Sequence, residues 1–381
     1  MTKLVNRFIG TTLVALAGVS LAACTTTTPE PSDRATPSAT TSTAQSPGAA
    51  TGVTGTVWVA NEAGNSLTVI NAATSEVVTT LTGVATPHNV QASADGARAY
   101  AVSGHDNTVI AVDAATYKVS AAAPSGSSPA HVIDAVKGTK VYATNSGDGT
   151  VSVYRAPGLK PAGVITLGGM PHGLRPSADG TVIAVANTGA KTLDLIEPDA
   201  RRKTTSVPLT GKPVQVAIDA SGRYAYASIA DPASVVKVDL ADGLIVATVQ
   251  VSASPVQLFL AADGRTLLSA DQGTEANPGD RISVIDPGPM TVKGTVRTGS
   301  GPHGLVIDPT GTRAWVTNIY DDTVSVIDVP NLSVLATLKV GDMPNGVSFA
   351  LPEPTPTSAS TISLNIPRFS PAPTDGEHGG H

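Results

Sequence analysis

Short segments of alternating hydrophobic and polar residues run through the middle of the chain, and each is bounded by Gly, Pro, Asn or Asp. Examples are "SLTVIN", "TVIAVD", "TVSVYR" and "TVSVID", all of which are rich in Val, Ile or Thr. A period of two together with β-branched residues predicts strands that bury one face. The chain is therefore predicted to be all-β, with many short strands joined by tight turns.

These strands belong to a long repeat that a column of prolines makes visible. The repeats open at Pro87, Pro129, Pro171, Pro213, Pro255, Pro302 and Pro344, with spacings of 42, 42, 42, 42, 47 and 42 residues. Within a repeat, a Gly turn, a strand with a large residue, an alternating strand and a Val/Leu/Thr-rich segment follow one another. A period of roughly 40 to 50 residues and four strands per repeat are typical of a β-propeller.

The phase of the repeat predicts how the ring closes. The chain enters at "GTVWVAN" (55–61), which matches the second strand of a blade, and the last repeat element is "PNGVSFA" (344–350), which matches a first strand. We therefore predict that the C-terminal strand completes the first blade, which removes the exposed edges of an open array. The predicted fold is a seven-bladed β-propeller of four-stranded blades over residues 55–351.

The last repeat carries a family resemblance. Its segments "AWVTN", "DDTVSVID" and "VLATLKVG" resemble the YVTN family of β-propeller repeats, and the resemblance covers about residues 55–350. The signature reads "WVTN" there, "WVAN", "YATN" or "AVAN" elsewhere, and "YASI" in the fifth blade. The resemblance implies a seven-bladed propeller in an exported or surface protein of bacteria or archaea. It fixes no activity, because one fold hosts many functions.

The N-terminus predicts export and a lipid anchor. Lys3 and Arg7 accompany the apolar segment "FIGTTLVALAGVS", which is too short to span a membrane comfortably. "LAAC" follows and resembles a bacterial lipobox, which implies a signal peptide over 1–23 and a lipidated Cys24. We expect a lipoprotein, palmitate-bearing and held at the extracytoplasmic face of the cell membrane.

Two segments outside the repeats are too polar to form a core. Residues 24–54 and 352–381 are rich in Thr, Ser and Pro, and the second ends in "GEHGGH". We predict a disordered tether and a disordered tail, respectively.

Charge and cysteine content narrow the classes of partner. The net charge is −6, and loss of Lys3 and Arg7 with the signal peptide leaves 22 of the 24 basic residues against 30 acidic ones, a net of −8. A net negative charge disfavours binding to nucleic acid and electrostatic adhesion to anionic lipids. We therefore expect the covalently attached lipid to make the membrane contact. The single cysteine excludes an intramolecular disulfide. We expect a monomer whose partner is an envelope protein or small ligand that the sequence does not identify.

Candidate binding residues lie at the start of the innermost strands. Propeller topology places the loop before the inner strand and the loop between the second and third strands on one face, at the mouth of the central channel. One or two positions after the prolines, this mouth carries His88, His131, His172, His303, Asn345, Gln215 and Gln257. The predicted rim loops of the same face carry His105, Asp271, Glu275 and Asp280. The last three lie in the segment "DQGTEANPGD" (271–280), which contains the five extra residues of the 47-residue spacing.

The recurrence of "PHGL" at 171–174 and 302–305 has more than one explanation. One explanation is structural: the histidine is part of the repeat and forms a hydrogen bond to the backbone of the neighbouring blade. The same position also suits a ligand site, a metal site or a catalytic site. The residue pattern leaves these alternatives open.

Three functions compete. The first is a non-enzymatic binding module that uses the histidine-bearing face. The second is a copper- or zinc-binding or redox-related protein, with His172, His303, His378 and His381 as candidate ligands, although histidines on separate blades are expected to lie far apart for one ion. The third is a lactonase- or lyase-like enzyme with His88, His172 or His303 as general base. No catalytic motif identifies a reaction, and no cofactor other than a copper or zinc ion is expected.

Overall fold

The computed structural model describes residues 52–135 and 137–369. In these ranges the regular structure consists of strands in seven sheets, which confirms the prediction of an all-β, seven-bladed propeller. No helix in this part of the chain has the length and hydropathy needed to cross a membrane. The predicted signal peptide, Cys24, almost all of the tether, and the tail histidines His378 and His381 lie outside the described residues.

The strands follow one another blade by blade in the order of the chain. Blade 1 contains β1 (Thr56–Asn61), β2 (Ser66–Asn71) and β3 (Glu76–Thr82). Blade 2 contains β4 (Val90–Ala92), β5 (Arg98–Ser103), β6 (Thr108–Asp113) and β7 (Lys118–Pro124). Blade 3 contains β8 (Pro129–Ala135), β9 (Lys140–Asn145), β10 (Thr150–Arg155) and β11 (Lys160–Thr166). Blade 4 contains β12 (Pro171–Pro176), β13 (Ile183–Asn187), β14 (Thr192–Glu197) and β15 (Arg202–Pro208).

The remaining blades repeat this pattern. Blade 5 contains β16 (Pro213–Ile218), β17 (Tyr224–Ile229), β18 (Ser234–Asp239) and β19 (Leu244–Gln250). Blade 6 contains β20 (Gln257–Leu260), β21 (Leu267–Gly273), β22 (Pro278–Asp286) and β23 (Thr291–Arg297). Blade 7 contains β24 (Pro302–Ile307), β25 (Arg313–Asn318), β26 (Thr323–Asp328) and β27 (Ser333–Lys339). The last strands are β28 (Pro344–Ala350) and β29 (Thr361–Ser363).

The ring closes as predicted. Strand β28 pairs antiparallel with β1, so that Val57 faces Phe349 and Trp58 faces Ser348. The inner strands β4, β8, β12, β16, β20, β24 and β28 contact one another in cyclic order around the channel. The first blade is thus assembled from both ends of the propeller sequence.

The segment after residue 351 differs from its prediction as a disordered tail. Strand β29 pairs parallel with β3 and gives blade 1 a fifth strand, in which Ile362 faces Leu81. Leu364 is only 7% exposed and joins the apolar cluster of blades 1 and 2, and the Tyr117 hydroxyl donates to the Thr355 carbonyl over 2.7 Å. A few apolar side chains and backbone bonds therefore hold a segment whose composition alone predicts disorder.

The large residues of the second strands form the core between blades. Trp58, Tyr100, Tyr142 and Trp315 are at most 1% exposed. Trp315 of blade 7, for example, packs in one cluster with Val57 and Ile70 of blade 1. This burial fixes the spacing of adjacent blades and, with it, the width of the channel between the inner strands.

Candidate functional site

In blades 3, 4, 5 and 7, the segment after the opening proline begins the inner strand with an irregularity. In blade 4, Pro171 pairs with Asn187 but Leu174 pairs with Val185, so the inner strand contains one extra residue. Blades 3, 5 and 7 have the same shift after their prolines. Such a bulge changes the direction of the side chains within it. Here it places His172 at a cavity in the channel mouth.

Glycine after the histidine lets the next inner strand approach closely. A Cβ on Gly304 would overlap the carbonyl oxygen of Asn345, one blade further on. The matching carbonyl in blade 5, that of Val214, accepts a hydrogen bond from Nδ1 of His172 over 3.0 Å. The repeated motif therefore has a structural role at His172, and that role uses only one of the two ring nitrogens.

Three histidines from separate blades converge, and we call His88, His131 and His172 the histidine triad. One ring nitrogen of each lies within 4.8 Å of the others, and Nε2 of His88 is 3.1 Å from Nε2 of His172. The ring centroids of His131 and His172 are 4.7 Å apart. The expectation that ring histidines lie too far apart for one ion is wrong, because the bulged inner strands bring these side chains together.

Glu62 fixes the orientation of His88. Its carboxylate lies 3.2 Å from Nδ1 of His88 and also accepts a hydrogen bond from the Asn345 amide. Burial raises the pKa of Glu62, but the hydrogen bonds and charge of these partners outweigh burial and lower it overall. An ionised Glu62 favours a proton on Nδ1 of His88. The Nε2 lone pair of His88 then faces the Nε2 lone pair of His172.

The other histidines of the mouth are held neutral by burial. His131 is 4% exposed, and its Nδ1 has no hydrogen-bond partner. Burial, and then the neighbouring histidines, lower the pKa of His131 well below its usual value. Burial likewise lowers the pKa of His172 and of His303 to about 3. Neutral imidazoles are the form that binds transition metals.

His303 lies beside the triad without joining it. Its ring centroid is 6.1 Å from that of His88. The Asn345 carbonyl favours its protonated form, yet Nδ1 of His303 makes no hydrogen bond of normal geometry. His303 is therefore a neighbour of the triad and does not line its cavity.

A cavity of about 350 Å³ opens above the triad. It is lined by Glu62, Thr86, His88, Gly104, Ser128, Pro129, Ala130, Ser146 and His172. These residues come from the starts of inner strands, from the loops that precede them and from the loops between second and third strands. The two kinds of loop thus share the face on which the sequence predicted them.

The two glutamines of the mouth bond to each other. Gln215 donates to the Oε1 of Gln257 over 2.8 Å, and its own Oε1 accepts from the Val216 amide. Neither side chain lines the cavity of the triad. Asn345, by contrast, contacts both Glu62 and His88. The glutamine pair therefore lies outside the cavity of the triad, whereas Asn345 supports His88.

The predicted rim residues do not form a second site. His105 is exposed, and its Nδ1 lies 3.1 Å from Asp106. Asp271 is fully buried and accepts hydrogen bonds from Ser252, Ser269 and Ser283, so its placement on the rim is wrong.

The rest of the insertion in blade 6 extends a hairpin. Strands β21 and β22 continue to Gly273 and Pro278, which pair with each other. Glu275 is exposed at the tip, while Asp280 forms ion pairs with Arg281 and Arg297 at 2.9 and 3.1 Å. The extra residues are thus used in strand pairing and surface ion pairs.

Sequence reasoning missed Glu62. It follows Asn61, the polar residue that ends a second strand, and the matching residues of the other blades are Gly104, Ser146, Thr188, Ala230, Gln272 and Ile319. Glu62 alone is acidic in that column. Comparing the repeats position by position would have revealed it.

Comparisons with known proteins support the fold. No protein-family model matches the chain, and no curated protein is significantly similar. A 6-phosphogluconolactonase candidate from Bacteroides fragilis is 20% identical with a TM-score of 0.66, covering 79% of this chain and 99% of its own. Hydrazine synthase from Kuenenia stuttgartiensis is 20% identical with a TM-score of 0.62, covering 69% and 89%.

A third similar structure is a protein of unknown function from Desulfotomaculum acetoxidans. It is 13% identical with a TM-score of 0.68, and the match covers 78% of this chain and 100% of that one. At these identities the similarity establishes the propeller fold and no activity.

Proposed function

We propose that this chain is a cell-envelope lipoprotein whose propeller binds a zinc or copper ion at the histidine triad, without catalysing a reaction. The observation that carries the proposal is the convergence of three ring nitrogens within 4.8 Å. Imidazole is a preferred ligand of both metals. The proposed lipid anchor at Cys24 and the tether that follows it rest on the sequence pattern of residues 1–54.

The spacing of the triad fits a metal with little rearrangement. Zn–N bonds of about 2.0 to 2.1 Å in a tetrahedral site place two ligand nitrogens roughly 3.3 Å apart. The Nε2 atoms of His88 and His172 already lie 3.1 Å apart. A small movement of the His131 ring brings its nitrogen to the same separation, since the widest distance in the triad is 4.8 Å.

Hydrogen bonds outside the triad also favour a metal. A histidine ligand usually donates its second ring N–H to a carboxylate or a backbone carbonyl, which orients the ring and increases its basicity. The Glu62 carboxylate is such an acceptor for Nδ1 of His88, and the Val214 carbonyl is such an acceptor for Nδ1 of His172. In the tautomers that these two acceptors favour, the Nε2 lone pairs of His88 and His172 face each other, and a cation between them would remove their repulsion.

Three protein ligands leave a position open toward the cavity. A zinc ion held by three protein ligands keeps its fourth position for water or an external ligand. The cavity of about 350 Å³ next to His88 and His172 would admit water or a small external ligand there. Binding, storage or delivery of the ion at the envelope is consistent with this access.

The experiment is metal retention by the full chain. A parent variant with His378→Ala and His381→Ala removes the tail histidines; it is loaded separately with zinc and copper, desalted and analysed by mass spectrometry. We expect about one equivalent in the parent and none after further His88→Ala and His172→Ala substitutions. His105→Ala, an exposed histidine outside the cavity, is the matched control.

A parent that retains no metal would overturn the proposal. Equal retention in the parent and in the His88→Ala/His172→Ala variant, with both shown to be folded by circular dichroism, would also overturn it. Loss of metal in the His105→Ala control would show that the assay reports surface binding.

A lactonase-like enzyme is the second candidate. One observation favours it: His88 is paired with an ionised Glu62 beside a cavity, which is the arrangement of an oriented general base. The similar structure from Bacteroides fragilis is a lactonase candidate. Hydrolysis of simple lactones by the chelator-treated chain, abolished by His88→Ala, would support it; no hydrolysis above background would exclude these substrates.

A further inference from the structure

The opposite end of the channel contains an unpaired cation. Four residues after the prolines, the inner strands contribute a second ring of side chains: Gln91, Ile133, Arg175, Ala217, Phe259, Val306 and Ser348. Four of the seven are apolar, and Arg175 is the only charged one. This ring lies further along the inner strands than the triad, toward the turns that connect first and second strands.

Arg175 has no acidic partner. Its Nη1 donates to the carbonyl of the adjacent Leu174 over 2.9 Å, and no carboxylate in the described ranges lies within 4 Å of its guanidinium. Burial lowers its pKa to about 10, so the group is still charged at neutral pH. Five N–H donors and a positive charge therefore have one hydrogen bond to a neutral acceptor. Its remaining N–H groups are therefore free to bind an anion.

The guanidinium opens into a cavity with apolar walls. The cavity measures about 380 Å³, and its lining includes Arg175, Phe259, Leu260, Val306, Val347 and Phe349. A smaller space of about 100 Å³ between blades 4, 5 and 6 is also lined by Arg175, Phe259 and Leu260. The larger volume is within the usual range for small-molecule pockets.

The one acidic residue in the cavity wall is already used. Asp308 is 2% exposed, and its carboxylate accepts hydrogen bonds from the backbone amides of Thr310, Thr312 and Arg313 at 2.6 to 2.9 Å. These bonds hold the tight turn between β24 and β25. Asp308 is therefore committed to its own hairpin, and the charge of Arg175 remains available.

We propose that this cavity binds a small organic acid, with its carboxylate on Arg175 and its apolar body against Phe259, Val306 and Phe349. Arginine matches the planar geometry of a carboxylate with two parallel hydrogen bonds. One cation neutralises one negative charge, whereas a phosphate dianion would bring a second charge into walls that offer no second cation. The apolar lining selects an acid with a hydrocarbon body over a bare inorganic anion.

The test is calorimetric titration of the full chain with 3-phenylpropanoate, its uncharged amide and inorganic phosphate. We expect the carboxylate to bind, the amide to bind at least about tenfold more weakly and phosphate not to compete. Arg175→Gln should weaken the carboxylate by about the same factor. The matched control is Arg202→Gln in the outer strand of the same blade, where Arg202 is exposed and paired with Glu197.

Equal binding of the amide and the carboxylate by the unmodified chain would overturn the proposal, whatever the variants do. Displacement by phosphate, no binding of the carboxylate, or unchanged binding by a folded Arg175→Gln variant would also overturn it. The His88→Ala/His172→Ala variant should keep its affinity for the acid, because those residues lie at the other end of the channel. Failure of the metal site and failure of this site are therefore separate results.

Discussion

The Nε2 atoms of His88 and His172 lie 3.1 Å apart, although the residues are separated by 84 positions and by two blades. Each ring is held from behind by a different acceptor: the carboxylate of Glu62 for His88 and the carbonyl of Val214 for His172. The hydrogen bond of His172 to the Val214 carbonyl thus follows from the repeat, whereas the acid beside His88 comes from the first blade. Together, these two hydrogen bonds direct the Nε2 lone pairs of His88 and His172 toward the same point.

Glu62→Gln should weaken the metal site without abolishing it. The substitution keeps the shape of the side chain but removes the charge that orients and polarises His88. Loss of such a supporting carboxylate typically costs about 10- to 100-fold in metal affinity. Competition with a chromogenic chelator measures the change, and Glu275→Gln at the exposed tip of the blade 6 hairpin is the control. Unchanged affinity would show that Glu62 only packs against the histidine.

The metal-free protein should lose stability as the pH falls below about 6.5. The pKa of His172 and that of His303 are lowered to about 3 in the folded state, whereas the unfolded chain takes up these protons near 6.5. Between these values the unfolded state binds more protons, so acid favours unfolding. Each group contributes a loss on the order of 2 kcal/mol at pH 5.

Urea denaturation at pH 7.5 and pH 5.0 in the presence of a chelator measures this effect. His303→Leu removes one of the groups and should reduce the difference between the two pH values by roughly a third to a half, since His131 and His172 remain. A folding free energy that is equal at both pH values in the unmodified chain would contradict the buried, neutral state of these rings.

Gly304→Ala should destabilise the propeller. The new methyl group would overlap the Asn345 carbonyl and lie 3.0 Å from the Thr317 hydroxyl, and the inner strands of blades 7 and 1 would have to separate. Overpacking of this kind costs about 1 to 3 kcal/mol. Gly158→Ala is the control, because nothing lies within 4 Å of its added methyl group. Thermal unfolding followed by circular dichroism should show a lower midpoint for Gly304→Ala alone.

Leu364→Ala should destabilise the whole propeller although the residue lies beyond its last inner strand. The side chain is 7% exposed in the cluster that contains Leu81 and Val84. Truncation of a buried leucine costs about 2 to 5 kcal/mol. Phe369→Ala, at a side chain that is 39% exposed, should cost much less. Equal unfolding midpoints for both variants would mean that β29 adds nothing to blade 1.

The fold was predictable because its signals are local and repeated. The opening proline and the alternating strand occur once in every blade, and the turn glycine occurs in blades 2 to 7. The phase of the first and last repeats determined which strand closes the ring. Strand β29 gave no such signal. Its three residues "TIS" occur once, and their pairing depends on Leu364 and Thr355 meeting blades 1 and 2.

The site was predictable only in part. The column of histidines located the channel mouth, but the distances between rings depend on bulges in the inner strands and on the close approach that Gly173 allows. Glu62 and Arg175 break the symmetry of the repeat at single positions. A search for positions that all repeats share does not find a functional residue that occurs in one blade only.

The pairing of Thr56 with Ala350 has a kinetic consequence. A chain that is synthesised from its amino end leaves one edge of β1 unpaired until β28 is made nearly three hundred residues later. Contacts this distant in sequence form slowly, and open strand edges invite pairing with other chains. The incomplete molecule is therefore most prone to aggregation before β28 pairs with β1 and completes the ring.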